Sequence, residues 1–302
     1  MKKIVLTTLL LLLLLPFTVH AKMQREYYVN EQNVRMTMDQ YSKLVEVYGK
    51  ESVDSMPQNV FDREKNINYV KIGEETKYVK VVYQLNQFGN VIGTEETEIS
   101  KEDYDKVNPA ACKEDLAKSN PTHETSYKLI NISMYGANPG PDGGYTAINF
   151  ILTTNWKIIP STRSYDVTGL RFHNFNINLS TIWGTLRYSS DGNTYNVQNY
   201  TTASSGFNAP GGDYGFGISM KLPSSTSIIY LRTQVSATGN YTDLLDYGAY
   251  GSYQHATSNV SESQSKLYTI SSTGMGQVFK FANSVASYYD NTQGVSTGGL
   301  YF

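Results

Sequence analysis

SYKLINISMYGANPGPDGGYTAINFILTTNWKIIPSTRSYDVTGLRF, residues 126–172, decides how the rest of the chain is read. Within it Ile148, Phe150, Leu152 and Trp156 share one parity, and Asn149, Thr153, Asn155 and Lys157 share the other with Ala147 and Ile151. A period of two predicts a half-buried β-strand, one face in a core and one in water. The preceding run, Tyr127 to Tyr135, is also rich in aromatic and branched residues. The spacer between the two runs holds two Pro and four Gly, which no regular element tolerates. The pair therefore reads as a long hairpin with an irregular tip. After Pro160 the chain restarts as a third strand, Tyr165 to Phe172, and these strands seed an antiparallel sheet.

Downstream the same signals continue. Phe175, Ile177 and Leu179 alternate with Asn174, Asn176 and Asn178, and Ile182 to Tyr188 and Tyr195 to Tyr200 flank a turn at Ser189 to Asn193. Thr201 to Asp213 reads as a long exposed loop. Further strands are expected at Tyr214 to Leu222, Ser227 to Ala237, Tyr247 to Ala256, Leu267 to Ser271 and Gln277 to Phe281, with a helix at Val278 to Tyr288 as the competing reading of the last. The fold class is mainly β: an antiparallel β-sandwich or barrel, preceded by a small α+β module.

Upstream the composition changes. Lys22 to Lys128 carries 15 basic and 19 acidic residues, whereas Leu129 to Phe302 carries 8 of each among Ser, Thr, Asn, Gly and Tyr. That contrast puts a boundary in the loop Ala117 to Glu124, giving a charged module at 22–124 and a β domain at 125–302. Thr37 with Gln40 forms a capping box, and Ser100 with Asp103 repeats the pattern, so a short helix starts at each. Gly49 ends the first helix and Pro57 opens a further turn. Asn68 to Ile72, Tyr78 to Leu85 and Val91 to Ile99 read as a meander with turns at Gly73 and Gly89. Residues 1–21, with Lys2, Lys3, a Leu-rich run and Val19-His20-Ala21, read as a secretory signal peptide cut after Ala21. The expected location is extracellular, with no transmembrane segment in the mature chain.

VRMTMDQYSKLVEVYGKESVDSMPQNVFDREKN (34–66) resembles a leader segment of exported proteins of Gram-positive bacteria. NQFGNVIGTEETEISKEDYDKV (86–107) resembles the meander that follows it, and SYKLINIS with NWKIIPSTRSYDVTGLRF is similar to the body of the same uncharacterised secreted family. The resemblance implies an extracellular location and carries no functional residues.

The residues limit the chemistry. Net charge is −2, and no basic stripe exists to hold nucleic acid. Cys112 is the single cysteine, which excludes an internal disulfide and reads as a spare thiol. His123, His173 and His255 lack partners at ligand spacing, so no metal and no cofactor is expected. Asp142-Gly143-Gly144 and Ser190 to Asn193 are turns before they are cation loops. The carboxylates Asp142, Asp166, Asp191, Asp213, Asp243, Asp246, Glu262 and Asp290 include no pair marked for hydrolysis, and no Gly-x-Ser-x-Gly occurs. Ser252 and His255 would point to opposite faces of a strand, and Trp156 belongs to the core parity.

Tyrosine supplies flat apolar faces with a polar handle, which suits sugar or protein partners. Tyr200, Tyr214, Tyr247, Tyr250 and Tyr253 are the candidate ligand-binding residues. The expected role is extracellular binding or interaction, with a glycan or a protein surface as partner. A pore-forming or membrane-active β protein is the alternative, and a secreted hydrolase the third reading.

Overall fold

A computed structural model describes residues 27–109, 122–141, 143–210, 212–242, 247–270, 278–292 and 294–297. The signal-peptide region, Cys112, Asp142, Asp243 and Asp246 lie outside the described residues. The chain divides into two compact units, up to Lys65 and from Asn66 onward.

In the first unit, strands β1 (Tyr27–Val29) and β2 (Arg35–Thr37) pair antiparallel. Helix α1 (Met38–Tyr48) starts at the expected capping box: Thr37 Oγ1 accepts the Gln40 N–H at 3.2 Å, and Gln40 Oε1 accepts the Thr37 N–H at 2.9 Å. Gly49 ends it at a φ of 78°, a left-handed value that glycine adopts without penalty. Helices α2 (Lys50–Asp54) and α3 (Gln58–Glu64) follow, the latter opened by Pro57.

The second unit is built on two facing β-sheets, with a small two-stranded sheet beside them. Its larger sheet contains β3 (Tyr69–Leu85), β4 (Val91–Ile99), β5 (His123–Ala137), β6 (Ala147–Ile158), β8 (Phe175–Ile177), β9 (Trp183–Ser189), β10 (Asn196–Thr201) and β13 (Tyr230–Tyr241). The order is β10-β9-β13-β6-β5-β3-β4, with β8 also paired to β13. The smaller sheet contains β7 (Tyr165–His173), β11 (Phe207–Asn208), β12 (Gly215–Lys221), β14 (Gly248–Gln254) and β17 (Val295–Thr297), in the order β11-β12-β7-β14-β17. Helix α4 (Lys101–Lys106) follows β4 and is capped by Ser100, whose Oγ accepts the Asp103 N–H at 3.1 Å.

The hairpin read from residues 126–172 is β5 and β6, paired from Tyr127↔Ile158 to Ala137↔Ala147. Several expectations differ from what the structure holds. First, β7 joins the smaller sheet, because the chain turns at Pro160 and crosses to the other layer. Second, Gly73 is no turn. A single 17-residue strand runs through it, and the pairing with β5 shifts register between Lys71 and Gly73, a β-bulge that absorbs the extra residue.

Third, strands on either side of residue 124 share one sheet, since β3 pairs with β5 from Tyr69↔Ala137 to Gln84↔His123. Part of the charge upstream of residue 124 lies at the edge of this sheet. There β4 exposes Glu95 and Glu98, and charge protects an open strand edge. Within residues 201–210, Phe207–Asn208 pairs with β12 as a short strand, and Phe207 stacks on Phe216 at 6.0 Å. The region of the competing helix holds strand β16 (Phe279–Phe281) and a short 3-10 turn at Ala286–Tyr288.

The two sheets face each other over one apolar core that includes Ile130, Ile132, Ile148, Phe150, Leu152, Phe172, Phe216 and Val235. The rings of Phe150 and Phe172, one from each sheet, lie 5.4 Å apart. A hairpin of β15 (Tyr268–Ile270) and β16 packs on the other side of the smaller sheet. Gly217 allows this approach: a Cβ there would stand 2.4 Å from the Tyr268 hydroxyl oxygen.

β6 is buried on both faces rather than one. Asn149 has no exposure and Ile151 has 3%. The Asn149 Oδ1 accepts hydroxyl hydrogen bonds from Ser236 at 2.8 Å and Thr238 at 3.3 Å. Phe150→Ala should destabilise by about 3–5 kcal/mol through the cavity it leaves. Asn149→Ala should cost about 1–3 kcal/mol, because it strips an acceptor from buried hydroxyls. Urea denaturation of the two variants checks this, and a neutral Asn149→Ala would contradict the second buried face.

Candidate functional site: a buried charged cluster and an adjoining cleft

The parity that lines the core with Ile130, Ile132 and Met134 also turns Lys128 inward. Its side chain has no solvent exposure. Nζ donates to Asp290 Oδ2 at 2.7 Å and also to Thr292 Oγ1. The rings of Trp156 and Tyr253 stand 5.1 and 5.6 Å from the ammonium nitrogen. Asp290 lies just after the 3-10 turn at 286–288, in a stretch bonded to the end of β14. The Asp290 N–H donates to His255 O at 2.9 Å, and the His255 N–H donates to Asp290 Oδ1 at 2.8 Å. Thr292 Oγ1 in turn donates to Glu96 Oε1 at 2.7 Å.

Glu96 belongs to the edge strand β4 but points inward, opposite Val81. Burial pushes its carboxyl up to about 7. Lys128 pulls it back, Asp290 adds to the rise, and the Thr292 hydroxyl and His255 oppose it.

A second set of bonds adjoins the first. Asp166 on β7 accepts from His255 Nδ1 at 2.9 Å, from the Ala256 N–H at 3.0 Å and from the Tyr253 hydroxyl. Trp156 Nε1 donates to the Tyr253 oxygen at 3.0 Å. The His255 ring stands 5.5 Å from Trp156 and 5.8 Å from Tyr83. His255 Nε2 and the Tyr83 hydroxyl have no hydrogen-bond partner among the described residues. Burial raises the Tyr83 and Tyr253 hydroxyls well above the usual tyrosine range, and nearby carboxylates add to the effect.

The tyrosines singled out from sequence do not form one surface. Tyr253 is fully buried inside the cluster, and Tyr247, 2% exposed, stacks on Tyr241 at 5.3 Å. Both have the inward parity of β14 and its approach, so neither presents a face to a ligand. Tyr200 packs on the main core and its hydroxyl donates to Gln198 Oε1 at 3.0 Å. Tyr250 lies under the Arg171 guanidinium at 4.2 Å. Tyr214 alone of the five is well exposed, at 46%.

Ser252 and His255 do not pair: the Ser252 hydroxyl accepts the Val278 N–H at 3.1 Å. Asp191 is a turn residue, its Oδ1 accepting the Asn193 and Thr194 N–H groups at 2.8 and 2.7 Å, and these bonds lower its carboxyl to about 2. Among the described residues no group of three His, Cys, Asp or Glu is arranged to hold a metal.

A cleft of about 540 Å³ opens beside the end of β6. Ile158, Ile159, Ile228 and Ile229 line it with Lys157 and Arg163. Arg163 Nε donates to Pro160 O at 2.6 Å, while its Nη1 has no partner among the described residues. Lys157 Nζ is held by the Tyr104 and Asp105 carbonyls. Sequence reading missed this cleft because its residues come from stretches far apart in the chain, the end of β6 with residues 159–163 and residues 226–229.

Together these features define a mainly β, two-sheet protein with a charged cluster sealed in its core. No protein-family profile matches the chain, and no curated protein sequence does. Among solved structures it is similar to a collagen-binding domain from a Staphylococcus aureus adhesin. That match has 11% identity and a TM-score of 0.25, and covers 38% of this chain and 78% of that one. It is also similar to the full-length major pilin RrgB of Streptococcus pneumoniae, at 10% identity and a TM-score of 0.25, over 61% of this chain and 43% of that one. Among the described residues no helix is long and apolar enough to cross a membrane.

Glu96 makes stability depend on pH. The folded state keeps a proton that the unfolded chain, with an ordinary carboxyl near 4.5, has already released. Stability therefore falls as pH rises from 5 through 7 and levels off above it. Wild type should lose roughly 2–3 kcal/mol relative to Glu96→Gln between pH 5 and pH 8. Urea midpoints of both proteins at the two pH values test this, and parallel pH profiles would contradict it.

Proposed function

We propose that this chain is an exported, extracellular binding protein that engages a protein partner through the cleft beside β6. The observation that carries this reading is the lining itself. Four isoleucines line the space together with the cationic Lys157 and Arg163, and Ile229 is half exposed. An aliphatic side chain carrying or flanked by a carboxylate satisfies both features. Aliphatic walls suit a protein side chain better than a sugar, which calls for aromatic platforms and hydroxyl partners. The Lys-Lys, Leu-rich start supports export. The cystine-free, Ser-, Thr- and Tyr-rich sandwich is compatible with it.

Tyr214 and Tyr250 remain candidates for an outer contact surface. Asp166 and Asp290, two of the carboxylates a hydrolase would need, are each 1% exposed and committed to internal bonds, which favours binding over hydrolysis.

The test is a binding screen of the chain starting at Lys22 against immobilised extracellular proteins, collagens included, with a glycan array in parallel. A protein ligand whose affinity falls at least about tenfold in both Ile229→Asp and Arg163→Gln, as loss of an anchor residue does, supports the reading. A glycan ligand indifferent to both substitutions, or leakage of liposomes by the wild-type chain, would overturn it.

A further inference from the structure

Lys128 and Asp290 meet under unusual conditions. An amine nitrogen and a carboxyl group are 2.7 Å apart, both side chains are without solvent exposure, and aromatic rings flank the nitrogen. Burial penalises charge, so a neutral amine beside a neutral carboxylic acid is closer in energy to the ion pair here than in water. The carboxyl group is also oriented. The His255 N–H holds Oδ1, and the amine lies against Oδ2. A backbone donor on one oxygen stabilises the charge that develops there when a nucleophile adds to the carbon. The Thr292 hydroxyl connects the amine to the Glu96 carboxyl, and so offers a path for the proton that the amine must lose.

We propose that Lys128 and Asp290 condense after folding into an intramolecular amide that covalently ties β5 to the segment entering β17, with Glu96 as proton carrier. The Lys128 Nζ–Asp290 Cγ bond forms and the Cγ–Oδ2 bond breaks. Of the three hydrogens on the ammonium, one stays on the amide nitrogen. The other two leave with Oδ2 as one water, so charge and atoms balance without any co-reactant. Glu96 takes one proton from the attacking nitrogen through Thr292 and returns it to the departing oxygen. Its carboxyl, raised to about 7, can exist in both forms near neutral pH, as that role requires.

The geometry holds the two groups in contact across 162 residues of sequence, so the folded structure supplies the proximity that makes such a condensation intramolecular. The bond would do for this protein what a disulfide does elsewhere, in a chain with a single cysteine. The inference is independent of what the cleft binds.

Intact-mass spectrometry of the purified, folded full chain decides it. Wild type should be lighter than its own sequence by one water beyond any N-terminal processing. A tryptic digest should contain residues 119–157 and 281–302 as one branched peptide joined at Lys128 and Asp290. Lys128→Arg and Asp290→Ala should keep the mass of their sequences. Glu96→Gln should accumulate uncondensed chain. Wild type at its full sequence mass, with the two peptides separate, overturns the proposal. So does the same water loss in Lys128→Arg, and so does a Glu96→Gln chain that condenses as completely as wild type. Should a variant fail to fold, the wild-type mass and its linked peptide still give the answer.

Discussion

The Lys128 side-chain nitrogen sits in the core without solvent exposure, and much of the sandwich is arranged around answering it. An unanswered buried charge costs several kcal/mol, so each segment that touches it has to be in register. β5 supplies the lysine. The stretch after the 286–288 turn supplies Asp290 and Thr292. The end of β14 supplies a backbone N–H and the Tyr253 ring, β6 supplies Trp156, and β4 supplies Glu96. A one-residue slip of β5 would turn Lys128 outward and move Leu129 into its place. The cluster therefore specifies register at the point where the two sheets must agree.

Such a cluster is weak evidence for stability in itself. Apolar residues of the same shape often hold a core as well as a buried ion pair does. What the polar set adds is connection between layers. Trp156 on β6 reaches Tyr253 on β14 across the sheets, and Asp166 on β7 holds that tyrosine from the neighbouring strand of the smaller sheet. The apolar half of the core, from Phe150 to Phe216, supplies burial without directional bonds. Direction comes from the polar end.

Much of the sheet was legible in the sequence and little of the site. The alternation of Ile148, Phe150 and Leu152, the Pro- and Gly-rich tip and the cap at Thr37 are local signals, and local signals produced the observed hairpin and helix start. The exchange of β7 to the second sheet and the pairing of β3 with β5 are long-range facts that composition does not encode. Charge density is a local count, and it says nothing of the pairing that joins β3 to β5 across residue 124. The clue to the cluster was present: Lys128 shares the parity of Ile130 and Ile132, and a lysine on the apolar side of a strand asks for a partner. No partner could be chosen among eight downstream acidic residues, since Asp290 lies 162 positions away. The tyrosine reading failed for Tyr247 and Tyr253 for the same reason, as abundance does not say which parity faces in.

The central claim is that Lys128 and Asp290 act as one unit within the core. A double-mutant cycle on unfolding free energy with Lys128→Met and Asp290→Leu measures this most directly. Each single substitution leaves a buried charge unanswered or breaks the link, and should cost about 3–5 kcal/mol. The double variant should cost far less than the sum, with a coupling of at least about 2 kcal/mol. Additive costs, with no coupling between the two positions, would contradict the account.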